Sequence, residues 1–370
     1  MKRIILFILF TLGFLSFAAA QDGTLKVTGE IANLGKGSVD IYLSSNLDVK
    51  ADSAAFEDGR FELSCRMDLP QFVYIYIKDT KEELAFIGRI FTDAGHITLK
   101  GDKEKGKMLQ VEGAPLNDEL NGYFGYVKTL PEYKENGRLS GEISEAFKVG
   151  DKKKVNELTL LRHKNIRKII DAIFAWKNDA ARNIAAAFQI CEYASSLPLE
   201  DQIKTAKRFP ASMEKKSRDL RELKANIESE KKLKTGSVAP DFKVKDLAGK
   251  EYTLADFKGK YIYLEFSASW CGWCKKEVPY IRTAYHALKD KNIVFITMNM
   301  DTAREKWEGD ITKENIEWMC LSNLEGMKST LAESYNVHGI PACFVIDPQG
   351  KIIKRDIRGN EVIEYLSGLF

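Results

Sequence analysis

Val39, Ile41 and Leu43 alternate with Asp40, Tyr42 and Ser44, which is the two-residue period of a strand with one buried and one wet face. Similar short runs recur at 24–31, 38–45, 59–65, 72–79, 86–93, 96–102 and 107–114, separated by turn signals such as Asp58-Gly59 and Ala94-Gly95. Short strands at this spacing predict an antiparallel β sandwich of about seven strands over residues 21–116. From 117 to 232 the period lengthens to that of a helix. Ile166, Ile169, Ile170, Ile173 and Phe174 form one apolar stripe, Ile184, Ala187, Phe188 and Cys191 form another, and Leu197-Pro198 breaks the pattern. Over 236–370, strand-like runs at 261–267 and 292–298 are each followed by a helical pattern. The runs 342–347 and 351–357 read as a hairpin joined by Pro348-Gln349-Gly350. The expected architecture is therefore multidomain: an N-terminal antiparallel sandwich, a central helical region and a C-terminal α/β domain with a mixed sheet.

Composition narrows the function classes. A chain of 370 residues that is 44% hydrophobic has room for two or three cored domains, and it is neither disordered nor a small disulfide-stapled scaffold. Its 56 basic and 53 acidic residues nearly cancel, so no bulk field draws it to nucleic acid. Residues 151–234 carry 20 basic and 12 acidic residues, the mark of a solvated helical face or of a basic surface for an acidic partner or anionic lipid.

The first twenty residues set a compartment. Lys2-Arg3 precede the apolar run Ile4 to Phe17, and Ala18-Ala19-Ala20 follow it, the three-part pattern of a cleavable signal peptide over 1–20. The alternative, an uncleaved anchor, asks for about 20 apolar residues, more than the run offers. No cysteine follows the run, which argues against a lipoprotein. The mature protein is expected to be soluble in a bacterial periplasm, where disulfides persist.

Cys271-Gly272-Trp273-Cys274 follows the apolar strand 261–267 and opens a helix running to about His286. Two thiols at this spacing on a helix's first turn can close a small disulfide ring. The exposed amides and the dipole there favour a thiolate on Cys271, with Lys275 and Lys276 adding positive charge. Cys271 is thus the expected attacking thiol, and Cys274, one turn in, the resolving one. A zinc site would want a further Cys or His pair at ligand spacing, and His96, His163, His286 and His338 stand apart. No metal, haem or iron-sulfur cofactor is indicated; the redox group is the Cys271–Cys274 pair itself.

With these residues placed, 236–370 resembles the thioredoxin superfamily, and within it the TlpA/ResA-like periplasmic thiol-disulfide oxidoreductases related to AhpC/TSA proteins. Trp270-Cys271-Gly272-Trp273-Cys274 matches the active-site motif. Ile340-Pro341 matches the cis-proline segment that lies beside the sulfurs in this family. Ala239-Pro240-Asp241-Phe242 matches the entry segment, and Val345-Ile346-Asp347-Pro348-Gln349-Gly350 matches the hairpin. Gly272-Trp273 departs from the Gly-Pro of thioredoxin, and the intervening pair bears on reduction potential. The resemblance implies a buried acid at Glu265, suited to take the proton from Cys274; a Glu facing water from a strand edge is the other reading. It implies a second acid at Glu277, which is otherwise a helix-surface Glu beside two lysines. Trp270 is expected to pack along the active-site edge, and Trp273 to meet a partner chain. His338 reads as a polar loop residue. Residues 21–116 resemble, more weakly, the N-terminal sandwich of unknown function often fused to TlpA-like domains.

Cys65, Cys191, Cys320 and Cys343 each lie on an apolar face or in a β-rich run, as core cysteines do; a disulfide among them stays open. The leading reading is a periplasmic reductase of protein disulfides, with electrons from a membrane thiol-disulfide donor. A disulfide oxidase or isomerase and an AhpC/TSA-type peroxidase are alternatives, although Ala268-Ser269-Trp270 lacks the Thr-x-x-Cys setting of a peroxidatic cysteine. A partner-binding module on a passive thioredoxin scaffold is a third, against which the two sulfurs on one helix N-terminus speak.

Overall fold

The computed structural model describes residues 23–81, 83–106 and 108–370; the expected leader over 1–20 lies outside them. The chain divides into two compact units between Leu223 and Lys224.

The first unit begins with eight strands: β1 Thr24–Ala32, β2 Gly37–Leu43, β3 Asn46–Phe56, β4 Arg60–Arg66, β5 Gln71–Asp79, β6 Leu84–Thr92, β7 Gly95–Asp102 and β8 Gln110–Glu112. They form two four-stranded sheets, β4-β1-β7-β8 and β3-β2-β5-β6. Leu25, Val27, Leu63, Ile97 and Leu99 from one sheet bury against Val39, Ile41, Val73, Ile75 and Ile77 from the other, the inner faces of a sandwich. Asp58 and Gly59 turn β3 into β4 with φ of 52° and 68°, and a Cβ on Gly59 would come within 1.9 Å of the Ile31 carbonyl oxygen. This corner needs glycine.

Three features depart from the expected sandwich. β3 is a strand of eleven residues that the alternation did not reveal. β1 and β7 run parallel, where a hairpin reading expects antiparallel neighbours throughout. Asp40, expected on the wet face, is buried and lies between the ammonium groups of Lys50 at 2.9 Å and Lys78 at 3.8 Å.

Helices follow: α1 Pro115–Thr129, α2 Pro131–Lys148, α3 Lys152–Trp176, α4 Ile184–Ala194, α5 Leu199–Ala206, α6 Ala211–Glu214 and α7 Arg218–Lys232. Asp151 caps α3 by accepting the Lys154 amide, and Asn183 caps α4 by accepting that of Ala186. The stripe Ile166, Ile169, Ile170 and Ile173 is buried as expected. α4 is more than a stripe: Ala185 through Cys191 are buried on every face. Its Phe188 ring meets Phe72 at 5.1 Å and Phe91 at 5.3 Å on the outer face of the second sheet.

The second unit holds β9 Lys243–Lys245, β10 Glu251–Thr253, β11 Tyr261–Ser267, α8 Gly272–Leu288, β12 Ile293–Asn299, α9 Arg304–Glu314, β13 Met319–Leu321, α10 Thr330–Ser334, β14 Ala342–Ile346, β15 Ile352–Arg355 and α11 Glu361–Ser367. The main sheet has the order β13-β12-β11-β14-β15; β11 to β13 run parallel, and β14 and β15 antiparallel to their neighbours. Ile262, Leu264 and Phe266 point into one core, and Tyr263 into the other with Val278, Ile281 and Ala284 of α8. The unit begins earlier than the expected residue 236. Glu230 pairs with Arg355 at 2.8 Å and accepts from Asn336, while Leu233 is fully buried in the Leu264 core. A charged helix end thus belongs to the α/β unit, which its composition hides.

Candidate active site

β11 is the middle strand of the main sheet, and its C-terminal end delivers the chain through Ala268-Ser269-Trp270 to the start of α8. Cys271 is the N-cap of that helix and accepts the Cys274 amide hydrogen at 3.1 Å on Sγ. The two cysteines are joined in a disulfide, with Cα atoms 5.3 Å apart. When the pair is reduced, the same amide and the helix dipole stabilise negative charge on the Cys271 sulfur. Cys271 is 5% exposed and Cys274 is 1% exposed, so an incoming sulfur meets Cys271 first. A Cβ at Gly272 would meet nothing within 4 Å. The small residue there leaves room for an approaching chain and fills no packing need.

The Ile340-Pro341 peptide is cis, and the Ile340 carbonyl oxygen lies 3.7 Å from Cys271 Sγ. Chain segments far apart in sequence therefore converge on the Cys271 sulfur. Trp273 is 51% exposed with the Lys276 ammonium 4.2 Å over its ring. Trp270 was expected to pack and instead stands 60% exposed, because it sits in the turn between strand and helix with no core facing it. Both indoles flank the disulfide as open apolar surface.

Glu265 is buried, 3% exposed, on the same strand face as Tyr263. Thr297 Oγ1 donates to its Oε2 at 3.4 Å, and Trp318 Nε1 donates in turn to Thr297 Oγ1 at 2.9 Å. Burial pushes the carboxyl up to about 8, with Glu277 adding to the shift and Arg358 and Thr297 opposing it. A carboxyl in that range exchanges protons near neutral pH. Glu277 is half-buried, and its Oε2 accepts the Gly359 amide hydrogen at 2.7 Å. His338 shares a 2.9 Å hydrogen bond with Asn336 Oδ1.

Pattern reading missed Asp301. It lies just past β12, is 1% exposed, and accepts from both the backbone N–H and the hydroxyl of Ser269, at 3.0 and 2.7 Å. It thereby pins the turn two residues before Cys271. Asp301→Ala strands both donors and is expected to cost about 2 kcal/mol and to slow exchange, with Asp301→Asn recovering part of each. Chemical denaturation and exchange rates on the two variants check this, and an alanine variant as stable as the parent would refute the pin.

The other four cysteines are free and buried. Burial raises each thiol, Cys65 to about 11 and Cys320 and Cys343 to about 12, with Cys191 raised likewise, which leaves them poor nucleophiles. Among the described residues no group of three or more His, Cys, Asp or Glu side chains gathers to hold a metal.

Residues 235–355 match the AhpC/TSA family, and residues 25–120 match a domain of unknown function, DUF4369. The thiol-disulfide oxidoreductase ResA of Bacillus thuringiensis subsp. konkukian is 33% identical over 137 residues, covering 37% of this chain and 77% of the relative. The chain belongs to the thiol-disulfide oxidoreductases of the thioredoxin superfamily. ResA of Bacillus subtilis is 29% identical to this oxidoreductase over 119 residues, covering 32% of this chain and 65% of the relative. Among solved structures, the thioredoxin domain of a Bacteroides vulgatus thiol-disulfide oxidoreductase shares 34% identity at a TM-score of 0.36, covering 37% of this chain and 98% of that one. Residues 121–234 of the oxidoreductase lie outside both family matches.

Proposed function

We propose that this oxidoreductase works as a periplasmic reductase of disulfides in partner proteins, with Cys271-Gly272-Trp273-Cys274 as its active site. The observation that carries the reading is the Cys271–Cys274 pair at the N-terminus of α8 with the Ile340 carbonyl 3.7 Å from the outer sulfur. The Cys271 thiolate attacks one sulfur of the partner's disulfide, and the partner's other sulfur leaves as a thiolate and takes a proton. The mixed disulfide is held along Ile340-Pro341, with Trp273 against the partner chain. Cys274 then gives its proton to Glu265 and attacks Cys271, releasing the second partner thiol and closing the Cys271–Cys274 disulfide. An external dithiol donor, expected at the membrane, returns two electrons and two protons, and no further cofactor is required.

The apolar Ile340 before Pro341 supports the reductive direction. The leader pattern over 1–20 supports the compartment, and among the described residues no helix is long and apolar enough to cross a membrane. The reduction potential of the pair, taken by equilibration in defined thiol-disulfide buffers, tests the direction. A value near or below that of thioredoxin, about −270 mV, is expected, and a value near that of DsbA, about −120 mV, would make the protein an oxidant.

A further inference from the structure

Between β15 and α11, Arg358 reaches back to the active-site side of the sheet. Its Nη2 donates to the Pro341 carbonyl oxygen at 2.6 Å and to Asp356 Oδ1 at 3.4 Å. Its Nη1 donates to the Ile357 carbonyl at 2.8 Å and to Cys343 Sγ at 3.2 Å. Cys343 is the register partner of Glu265 across the β11–β14 ladder, and directly paired side chains on one sheet face are neighbours. The guanidinium therefore rests on the sulfur beside the buried carboxyl. The next residue, Gly359, donates its amide to Glu277 on α8. One dipeptide thus ties the cis-proline segment to the active-site helix, with a positive charge placed next to Glu265.

We propose that Arg358 is a positioning residue of the exchange reaction: it fixes the Pro341 carbonyl beside which a partner chain docks, and its charge holds Glu265 ready to accept the Cys274 proton. This inference rests on the reading of Glu265 as the base for Cys274. The groups that face Glu265 are Thr297 from β12, Cys320 from β13, Cys343 from β14, Glu277 from α8, Asp310 from α9 and Tyr263 on its own strand. Glu277 and Asp310 disfavour its carboxylate, and Arg358 favours it. Without the cation the base is ionised only at higher pH. Without the fork, the Pro341 carbonyl loses its donor, and a lysine cannot span the same acceptors.

The test uses the full chain, reduced beforehand, in single-turnover reduction of a disulfide-linked fluorogenic peptide from about pH 5.5 to 9.5. Arg358→Gln is expected to move the rising limb of the saturated rate about one pH unit to the alkaline side, which is about a tenfold loss at pH 7, and to raise the half-saturating concentration several-fold. Arg358→Lys is expected to keep the limb while raising the half-saturating concentration. A Gln limb that superimposes on the parent's overturns the electrostatic role. Half-saturating concentrations unchanged in both variants overturn the docking role. If only the lysine variant folds, its split between an unmoved limb and weakened saturation still decides. Parent activity that persists in Cys271→Ser would overturn the active-site reading itself, and this proposal with it.

Discussion

Cys271→Ser is expected to abolish disulfide exchange, with a loss of at least roughly a thousandfold, because a covalent nucleophile is removed. The hydroxyl keeps the N-cap hydrogen bond from the Cys274 amide, so the helix start survives while the nucleophile is lost. Cys274→Ser behaves differently. Attack should proceed and resolution should not, so that the partner is expected to stay on Cys271 as a mixed disulfide, close to one per molecule. Non-reducing electrophoresis and intact mass after mixing with a disulfide peptide read both outcomes. The asymmetry follows from position: Cys271 borders the Ile340 carbonyl, and Cys274 lies one turn inside α8. If Cys271→Ser trapped the partner and Cys274→Ser did not, the roles would be reversed.

Glu265→Gln removes a pH-dependent cost of folding. The carboxyl has its ordinary value near 4.5 in the unfolded chain and about 8 in the folded one. Below about pH 4.5 both states hold the proton and the group costs nothing. Between 4.5 and 8 the folded state binds the extra proton, so stability falls as pH rises, by about 1.4 kcal/mol per pH unit. Above 8 the loss is complete. Glutamine does not titrate, so the stability difference between variant and parent should swing by roughly 3 kcal/mol in the variant's favour from pH 4.5 to 7. Hydrogen exchange of the β11 amides at several pH values reads the local stability. Resolution of the mixed disulfide should slow by about a hundredfold. A stability difference flat across that window would show that Glu265 already ionises near its ordinary value.

The geometry of the candidate centre was readable in the sequence because its signals are local. Two cysteines three residues apart, an apolar strand before them and Ile340-Pro341 downstream need no knowledge of the fold. Glu265 was legible as a lone acid in an apolar strand. What escaped depends on contacts between distant residues. Asp301 and Arg358 are ordinary charged residues until the fold brings them to Ser269 and Pro341, 32 and 17 residues away. β3 was hidden because Leu47 and Val49 face outward among polar neighbours, so no apolar face repeats along it. Asp40 looked wet because alternation carries no information about the two lysines that reach over it from the surface. The parallel pairing of β1 and β7 needs a crossover that no hairpin signal announces.

The ring cluster of Phe72, Phe91 and Phe188 has a bearing on modularity. Phe72 and Phe91 turn away from the sandwich interior, and the ring that covers them arrives from α4, some hundred residues downstream. The stretch resembling DUF4369 ends at residue 120, well before that cover. A fragment cut there would present two large aromatic side chains to water, an adhesive patch that invites aggregation. The heritable segment and the cooperative folding block are therefore different lengths of chain, and a graft of the sandwich onto another enzyme would have to carry α4 with it.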